Sequence, residues 1–216
     1  MNYFQPESYT VIVADGTFPQ HEVPLSYLKN AKRIVCCDGS ASSLVLSGME
    51  PVAIVGDMDS LNEDLADRFA DRIFRDENQD TNDLTKVVEW CRGNNYRDII
   101  IVGATGKRED HTLGNISLLA EYAKDMNVVM VTDTGILRPY LTDAEIVTFP
   151  GQQVSVFSID PDTEVTSHGL KYPLTRTKIT NWWYATLNEA LGDSFFLEFS
   201  EGRLIVYQKY SSFSAL

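Results

Sequence analysis

The chain has 216 residues, 44% of them apolar and 23% charged, enough to bury a core and ordinary for a globular protein. Its 31 acidic against 18 basic residues leave a net charge of −13. That excludes a nonspecific nucleic-acid or anionic-membrane binder, because both demand the opposite sign. No apolar run is long enough to span a bilayer, and Met1–Glu7 lacks the basic head and apolar middle of a secretory signal, so a cytoplasmic address is expected. Cys36, Cys37 and Cys91 suit reduced core thiols better than a disulfide framework.

In chain order, Thr10–Ala14 reads as a first strand ended by Asp15-Gly16. A short helical pattern over Val23–Lys29 leads to a second strand, Arg33–Cys37, stopped by Asp38-Gly39-Ser40. Ala41–Leu46 reads as helix and Val52–Val55 as a buried strand, which Gly56 lets the backbone leave. Leu61–Phe69 is amphipathic, and Arg72–Arg75 is a weak strand candidate. Leu84, Val87, Val88 and Cys91 fall at helical spacing, which predicts a helix from about Thr81 to Arg92 with one apolar stripe. Asp98–Val102 is the clearest buried strand. A helix from about Asp110 to Lys124 follows, with Leu113, Ile116, Leu119 or Ala120, and Ala123 turned to the core, and Asn127–Thr132 closes the series.

Strand and helix alternating in this way predict a mostly parallel sheet with helices on both faces, a Rossmann-like α/β domain over residues 1–142. Ligands of such sheets sit beyond the carboxyl ends of the strands. The remainder, 143–216, is short and β-rich: Ile146–Phe149, Val154–Ile159, Glu164–Ser167, Thr177–Ile179, Phe195–Phe199 and Leu204–Tyr207. It reads as an antiparallel sandwich or barrel, with Ser200-Glu201-Gly202-Arg203 as a hairpin between the last two strands.

Three stretches carry candidate chemistry. In Gly56-Asp57-Met58-Asp59-Ser60, an extended backbone would aim both carboxylates to one side, with Cα atoms roughly 6.5–7 Å apart, within reach of one hard cation. The alternative is a solvated Asp- and Ser-rich turn. In Gln79-Asp80-Thr81-Asn82-Asp83, Asp80 or Thr81 can cap the following helix, while Asp83 lies about 100° round from Leu84 at the margin of the buried stripe. In Gly103-Ala104-Thr105-Gly106-Lys107-Arg108-Glu109-Asp110-His111-Thr112, two glycines between a strand and a helix can form a backbone nest for phosphate oxygens, with Lys107 and Arg108 adding positive charge. Asp110 caps the helix, faces a substrate, or both, and His111 by itself reads as a hydrogen-bonded structural histidine. The loop is not a Walker sequence, and His21, His111 and His168 are too dispersed for a zinc site. An oxygen-rich, magnesium-suited pocket beside a phosphate-cradling loop points to chemistry on a nucleotide phosphate.

Those three blocks, taken in order, resemble the signature blocks of the thiamin pyrophosphokinase family. Asp38-Gly39-Ser40 resembles its earlier Asp-Gly-Gly block, and Gly169–Leu174 and Asn188-Glu189 resemble its C-terminal ones. The resemblance covers nearly the whole chain. It implies an α/β nucleotide-binding domain, a β-sandwich domain for thiamine binding and dimerisation, and a homodimer with active sites between subunits. The implied reaction moves pyrophosphate from ATP to the hydroxyl of thiamine and releases AMP, with Mg2+ as cofactor, ATP as co-substrate, and no nucleic-acid or membrane partner. The metal positions it implies are Asp57, Asp59 and Asp83, with Asp110 near the thiamine end. Gln79, Asp80, Gly103, Thr105, Gly106, Arg108 and His111 are the positions expected around ATP and its phosphates, and Tyr172 and Asn188 those expected to meet thiamine. Tyr172, Trp182 and Trp183 can stack on a cationic ring or pack the sandwich core. Three positions depart from the family pattern: Lys107 for a glycine, Asn82 for a common threonine, and Leu187 for the serine usual before Asn188. Leu187 keeps open a transferase acting on another alcohol, such as a pterin. A nucleotide or thiamine sensor without turnover is the alternative from another class.

Overall fold

The computed structural model describes residues 6–211, and these fall into two units. Among the described residues, one holds 6–116 together with 125–133. The other holds 117–124 and 134–211.

The first unit contains β1 (Thr10–Val13), α1 (Glu22–Asn30), β2 (Arg33–Cys37), α2 (Ser40–Leu46), β3 (Ala53–Gly56), α3 (Glu63–Arg68), β4 (Ile73–Arg75), α4 (Asp83–Gly93), β5 (Asp98–Val102), the start of α5 (Glu109–Tyr122) and β6 (Asn127–Val131). Its strands lie in the order β6-β5-β1-β2-β3-β4, and every pairing is parallel. A parallel sheet covered on both faces needs uninterrupted apolar strands rather than alternating ones. Val11, Ile12, Val35, Ile54 and Ile99–Val102 meet that need, all essentially inaccessible to solvent. Each large aliphatic side chain so buried contributes roughly 1.5–3 kcal/mol. Strand order reverses between β1 and β5, so their following loops lie side by side: Gly16 donates to the Gly103 carbonyl at 2.6 Å and Thr17 to that of Thr105 at 2.8 Å. This is the crevice in which doubly wound sheets hold ligands.

Two helices differ from expectation. The N-cap of α4 is Asn82, whose side chain accepts from the Thr85 amide, and not Asp80 or Thr81. On α5, Leu113 lies exposed, while Asn115 turns inward to donate to the Ala104 carbonyl and to accept from Asn82. The cap of α4 and the second turn of α5 are thus joined to each other and to the loop after β5 by polar links.

The second unit contains β7 (Gly135–Tyr140), β8 (Ala144–Val147), β9 (Gln153–Ser158), β10 (Glu164–His168), β11 (Thr177–Lys178), β12 (Asn188–Glu189), β13 (Ser194–Glu198) and β14 (Leu204–Lys209). They form two antiparallel layers, β12-β9-β14-β7 and β11-β10-β13-β8. Val154, Val156, Leu204 and Val206 from one layer and Ile146, Val165, Phe195 and Leu197 from the other form one core, a sandwich rather than a barrel. The division between units falls at Thr134 and not after residue 142, because β7 pairs along its whole length with β14. The expected hairpin at Ser200–Arg203 is absent. β13 pairs with β8 and β10, whereas β14 pairs with β7 and β9, so this link crosses between layers. Arg203 fastens it with a bidentate pair to Asp160 at 2.7 and 2.9 Å and a further contact to Glu121.

Candidate active site

Asp38 and Asp57 follow adjacent parallel strands, β2 and β3. Gly56 is what lets them come together, since a Cβ there would lie 2.9 Å from that of Asp38. Beyond Gly56 the chain is not extended, contrary to the expected alternation. Met58 takes a left-handed φ of 70°, and the Asp59 amide donates back to Asp57 Oδ1 at 3.3 Å. This tight turn, and not a strand, puts Asp57 and Asp59 on one side. Ser60 then binds both remaining acids, its amide donating to Asp38 Oδ2 at 3.1 Å and its hydroxyl to Asp59 Oδ1 at 2.9 Å.

One carboxylate oxygen each from Asp38, Asp57 and Asp59 lies within 4.8 Å of the others. Asp38 is 4% exposed, and its Oδ1 is buried with no hydrogen-bond partner. An orphaned buried carboxylate oxygen costs free energy unless something meets it. Burial, joined by the charges of Asp59, Asp57 and Asp83, raises the Asp38 carboxyl to about 6 despite the Ser60 amide. Asp57 moves the other way, lowered first by the Asp59 amide and further by Lys86. Three hard oxygen donors, one of them unsatisfied, fit a divalent ion such as Mg2+.

Asp83 stands outside that trio. It is half exposed at the first position of α4 and pairs with Lys86 Nζ at 3.1 Å, and the same ammonium lies 3.9 Å from Asp57 Oδ2. Lys86 is 3% exposed. Burial works against its charge, but Asp83 and Asp57 outweigh that and hold its pKa above the ordinary lysine value. Sequence reasoning passed over Lys86, and took Asp38 only as part of a block resembling the family's Asp-Gly-Gly, with no role at the site. Asp38 reads as a turn residue before Gly39-Ser40, and Lys86 is a single charge inside an apolar stripe, a signal that could have been read.

The remaining expected residues fall as follows. Gln79 and Asp80 are exposed on the loop before α4, Asp80 donating its amide to Asn78. Gly103 and Gly106 both take left-handed φ, 67° and 95°, as a nest-like loop requires, with Thr105 between them. Lys107, the departure from the family pattern, reaches Asp15 at 2.9 Å across the two loops. Arg108 pairs with Asp110 at 2.5 and 3.1 Å, which holds that carboxyl down at about 2, and His111 is exposed. In the second unit an open cavity of about 320 Å³ is lined by Tyr172, Leu174, Tyr184, Leu187 and Asn188 among others. Asn188 is buried, and its amide group is occupied by the Tyr172 backbone on both sides and by the Glu189 amide. Trp182 serves packing, its indole N–H donating to the Ser158 carbonyl beside Phe157, whereas Trp183 is exposed.

A parallel sheet with acids and a glycine loop at the carboxyl ends of its strands, followed in the chain by an antiparallel sandwich, defines a class: two-unit proteins, one unit α/β and the other β, with a ligand crevice at the strand ends of the first. The comparisons narrow it. Residues 25–131 match the family profile described as thiamin pyrophosphokinase, catalytic domain, and residues 135–207 the one described as thiamin pyrophosphokinase, substrate-binding domain. The chain belongs to the thiamin pyrophosphokinase family. It is 29% identical over 180 residues to thiamine pyrophosphokinase of Bacillus subtilis, covering 78% of this chain and 83% of that one. With thiamine pyrophosphokinase 2 of Arabidopsis thaliana it shares 27% over 202 residues, 79% of this chain and 74% of the relative. The crystal structure of thiamin pyrophosphokinase from Geobacillus thermodenitrificans superposes with a TM-score of 0.78 at 27% identity, covering 96% of this chain and 100% of that one.

Proposed function

We propose that this chain transfers the pyrophosphoryl group of ATP to the hydroxyl of thiamine, giving thiamine diphosphate and AMP, with Asp38, Asp57 and Asp59 holding a divalent ion of the Mg2+ type. The observation that carries the site assignment is the convergence of those three carboxylates, together with a buried Asp38 oxygen that has no hydrogen-bond partner. When bound, such an ion neutralises charge on the phosphates and on the departing AMP. The protein's own groups do the rest. The loop Gly103–Gly106, its Gly103 and Thr105 carbonyls taken up by the β1 loop, offers amides to phosphate oxygens. Gln79, Asp80, Arg108 and His111 surround that position in the family pattern. Arg108 is held by Asp110 until a phosphate competes for it.

For thiamine, the cavity of the second unit offers the exposed ring of Tyr172, whose backbone N–H and carbonyl are held by Asn188. A net charge of −13 favours encounter with a cationic acceptor. A homodimer with active sites between subunits is the assembly we expect, and the cytoplasm the compartment, where the buried thiols Cys36, Cys37 and Cys91 stay reduced. Among the described residues no helix is long and apolar enough to cross a membrane. A second reading, transfer to a different alcohol, is favoured by Leu187, which stands 73% exposed at the cavity with a left-handed φ of 55°. Incubation with ATP, Mg2+ and either thiamine or a hydroxymethyl pterin decides: AMP should appear with thiamine, and Asp57→Ala should cut its rate by at least about a thousandfold. AMP formed only with the pterin would replace thiamine as the substrate. Near-normal turnover of Asp57→Ala would remove the metal site.

A further inference from the structure

The loop after β5 carries two basic residues, Lys107 and Arg108, and they run in different directions. Arg108 turns along its own chain and is taken up by Asp110, two positions on, through both carboxylate oxygens. Lys107 reaches across to the loop after β1, where its ammonium donates to Asp15 Oδ1 at 2.9 Å. These two loops meet where strand order reverses, at the crevice. Their backbones already interlock. A Cβ on Gly16 would lie 2.3 Å from the Gly103 carbonyl oxygen, and one on Gly106 would lie 2.5 Å from the Thr17 hydroxyl. The loops are therefore joined without help from the Lys107–Asp15 pair.

The second oxygen of Asp15 faces a third loop. It lies 3.5 Å from where a Cβ on Gly39 would stand, and Gly39 directly follows Asp38. One carboxylate thus puts the Lys107 ammonium between the glycine loop and the loop that begins with Asp38. A polyanion spanning the glycine loop and the acidic trio meets this ammonium on the way. Both members of the pair are about half exposed, a setting in which an ion pair is weak and easily exchanged. Several phosphate charges attract an ammonium more strongly than one solvated carboxylate does.

We propose that Lys107 is a substrate-binding residue for the phosphate chain of the nucleotide: Asp15 holds its ammonium over the crevice, and a phosphate oxygen takes the place of Asp15 when the nucleotide enters. This rests on reading the crevice as the ATP site. A strap between loops and a phosphate ligand make opposite predictions at Asp15. If the pair were a strap, loss of either partner would loosen the crevice and weaken nucleotide binding. If Lys107 binds phosphate, Asp15 is its competitor, and removing Asp15 frees the ammonium and takes a like charge away from the phosphates.

Calorimetric titration of ATP with Mg2+ into the full chain, without thiamine, separates the two. Lys107→Met should bind ATP at least about tenfold more weakly than the unsubstituted chain, as loss of one charge-assisted hydrogen bond requires. Asp15→Asn should bind it as tightly or more tightly. In steady-state AMP release, Lys107→Met should raise KM for ATP in the same proportion and leave KM for thiamine within about twofold. Unchanged ATP affinity in a natively folded Lys107→Met, or weakened affinity in Asp15→Asn, overturns the proposal and leaves the transferase reading standing. If Lys107→Met lacks the native near-ultraviolet spectrum, Lys107→Gln takes its place, and failure of both to fold makes the pair a structural strap and overturns the proposal as well. No ATP bound by the unsubstituted chain removes the reading of the crevice and this proposal with it.

Discussion

Asp38 and Asn188 make the instructive comparison, one in each unit. Both are buried polar side chains beside a strand end, 4% and 3% exposed. Asn188 is satisfied, donating to the Tyr172 carbonyl at 2.7 Å and accepting from the Tyr172 and Glu189 amides. Asp38 is left with an oxygen that nothing meets and with two more carboxylates facing it. A buried polar group with all its bonds made is spent on architecture, whereas one left open marks a place where a ligand completes the structure. By that criterion the first unit keeps an open polar position at Asp38, and the second holds its loop Gly169–Pro173 in shape through Asn188.

The largest expected effect breaks this comparison at Asp38. Asp38→Asn removes a ligand without changing shape, and AMP release should fall by at least about a hundredfold. Asn188→Ala should act chiefly on KM for thiamine by letting the Tyr172 loop move. Equal effects of both variants on kcat would erase the distinction.

A smaller effect sharpens it at the cavity. Leu187 places a bulky apolar side chain in a left-handed backbone conformation, where β-carbon crowding is unfavourable. Leu187→Asn relieves the conformation and brings back a polar group. KM for thiamine should drop by about threefold to tenfold, with the binding energy of one modest hydrogen bond, and kcat should hold. A rise in KM would mean that the leucine itself contacts the acceptor.

A third effect concerns stability without metal. The Asp38 carboxyl is raised to about 6 in the folded chain, above the ordinary carboxylate value, so the folded state binds a proton more readily than the unfolded one. Stability is therefore highest below the unfolded value, falls as pH rises through the window up to about 6, and stays lowered above it. Asp38→Asn should then raise the stability of the metal-free protein at pH 7.5 by about 1–2 kcal/mol, with the gain shrinking as pH falls below 6. Urea unfolding in a chelator at several pH values measures it. The smallest effect is expected at Arg203, whose partly exposed pair with Asp160 secures the link between layers: Arg203→Ala should cost about 1 kcal/mol and leave turnover alone.

What the sequence made legible follows from the same physics. Val11–Val13, Val35–Cys37 and Ile99–Val102 announce themselves because a covered parallel sheet leaves no room for polar positions, and glycine or Asp-Gly ends each one. β7 was hidden because Arg138 and Pro139 interrupt its apolar run, though Pro139 still pairs opposite Ile205. The false hairpin at Ser200–Arg203 came from a local turn signal, while the partners of β13 and β14 are set by strands far away in the chain. At the site, Asp57 and Asp59 were readable as a pair, but the turn at Met58 that aims them was not. Asp38 became a site residue only through Gly56 and Ser60, two contacts made across the sheet's end. Family blocks pointed to Asp83 as a ligand, and Lys86, which pairs with it at 3.1 Å, gave no such signal.

The most direct measurement is the stoichiometry of Mn2+ bound to the purified chain and to Asp38→Asn, read by electron paramagnetic resonance in the absence of nucleotide. The account predicts one ion bound to the unsubstituted chain and a loss of affinity of at least about tenfold in the variant, as removal of a charged oxygen ligand requires. Equal Mn2+ binding by both proteins would contradict it.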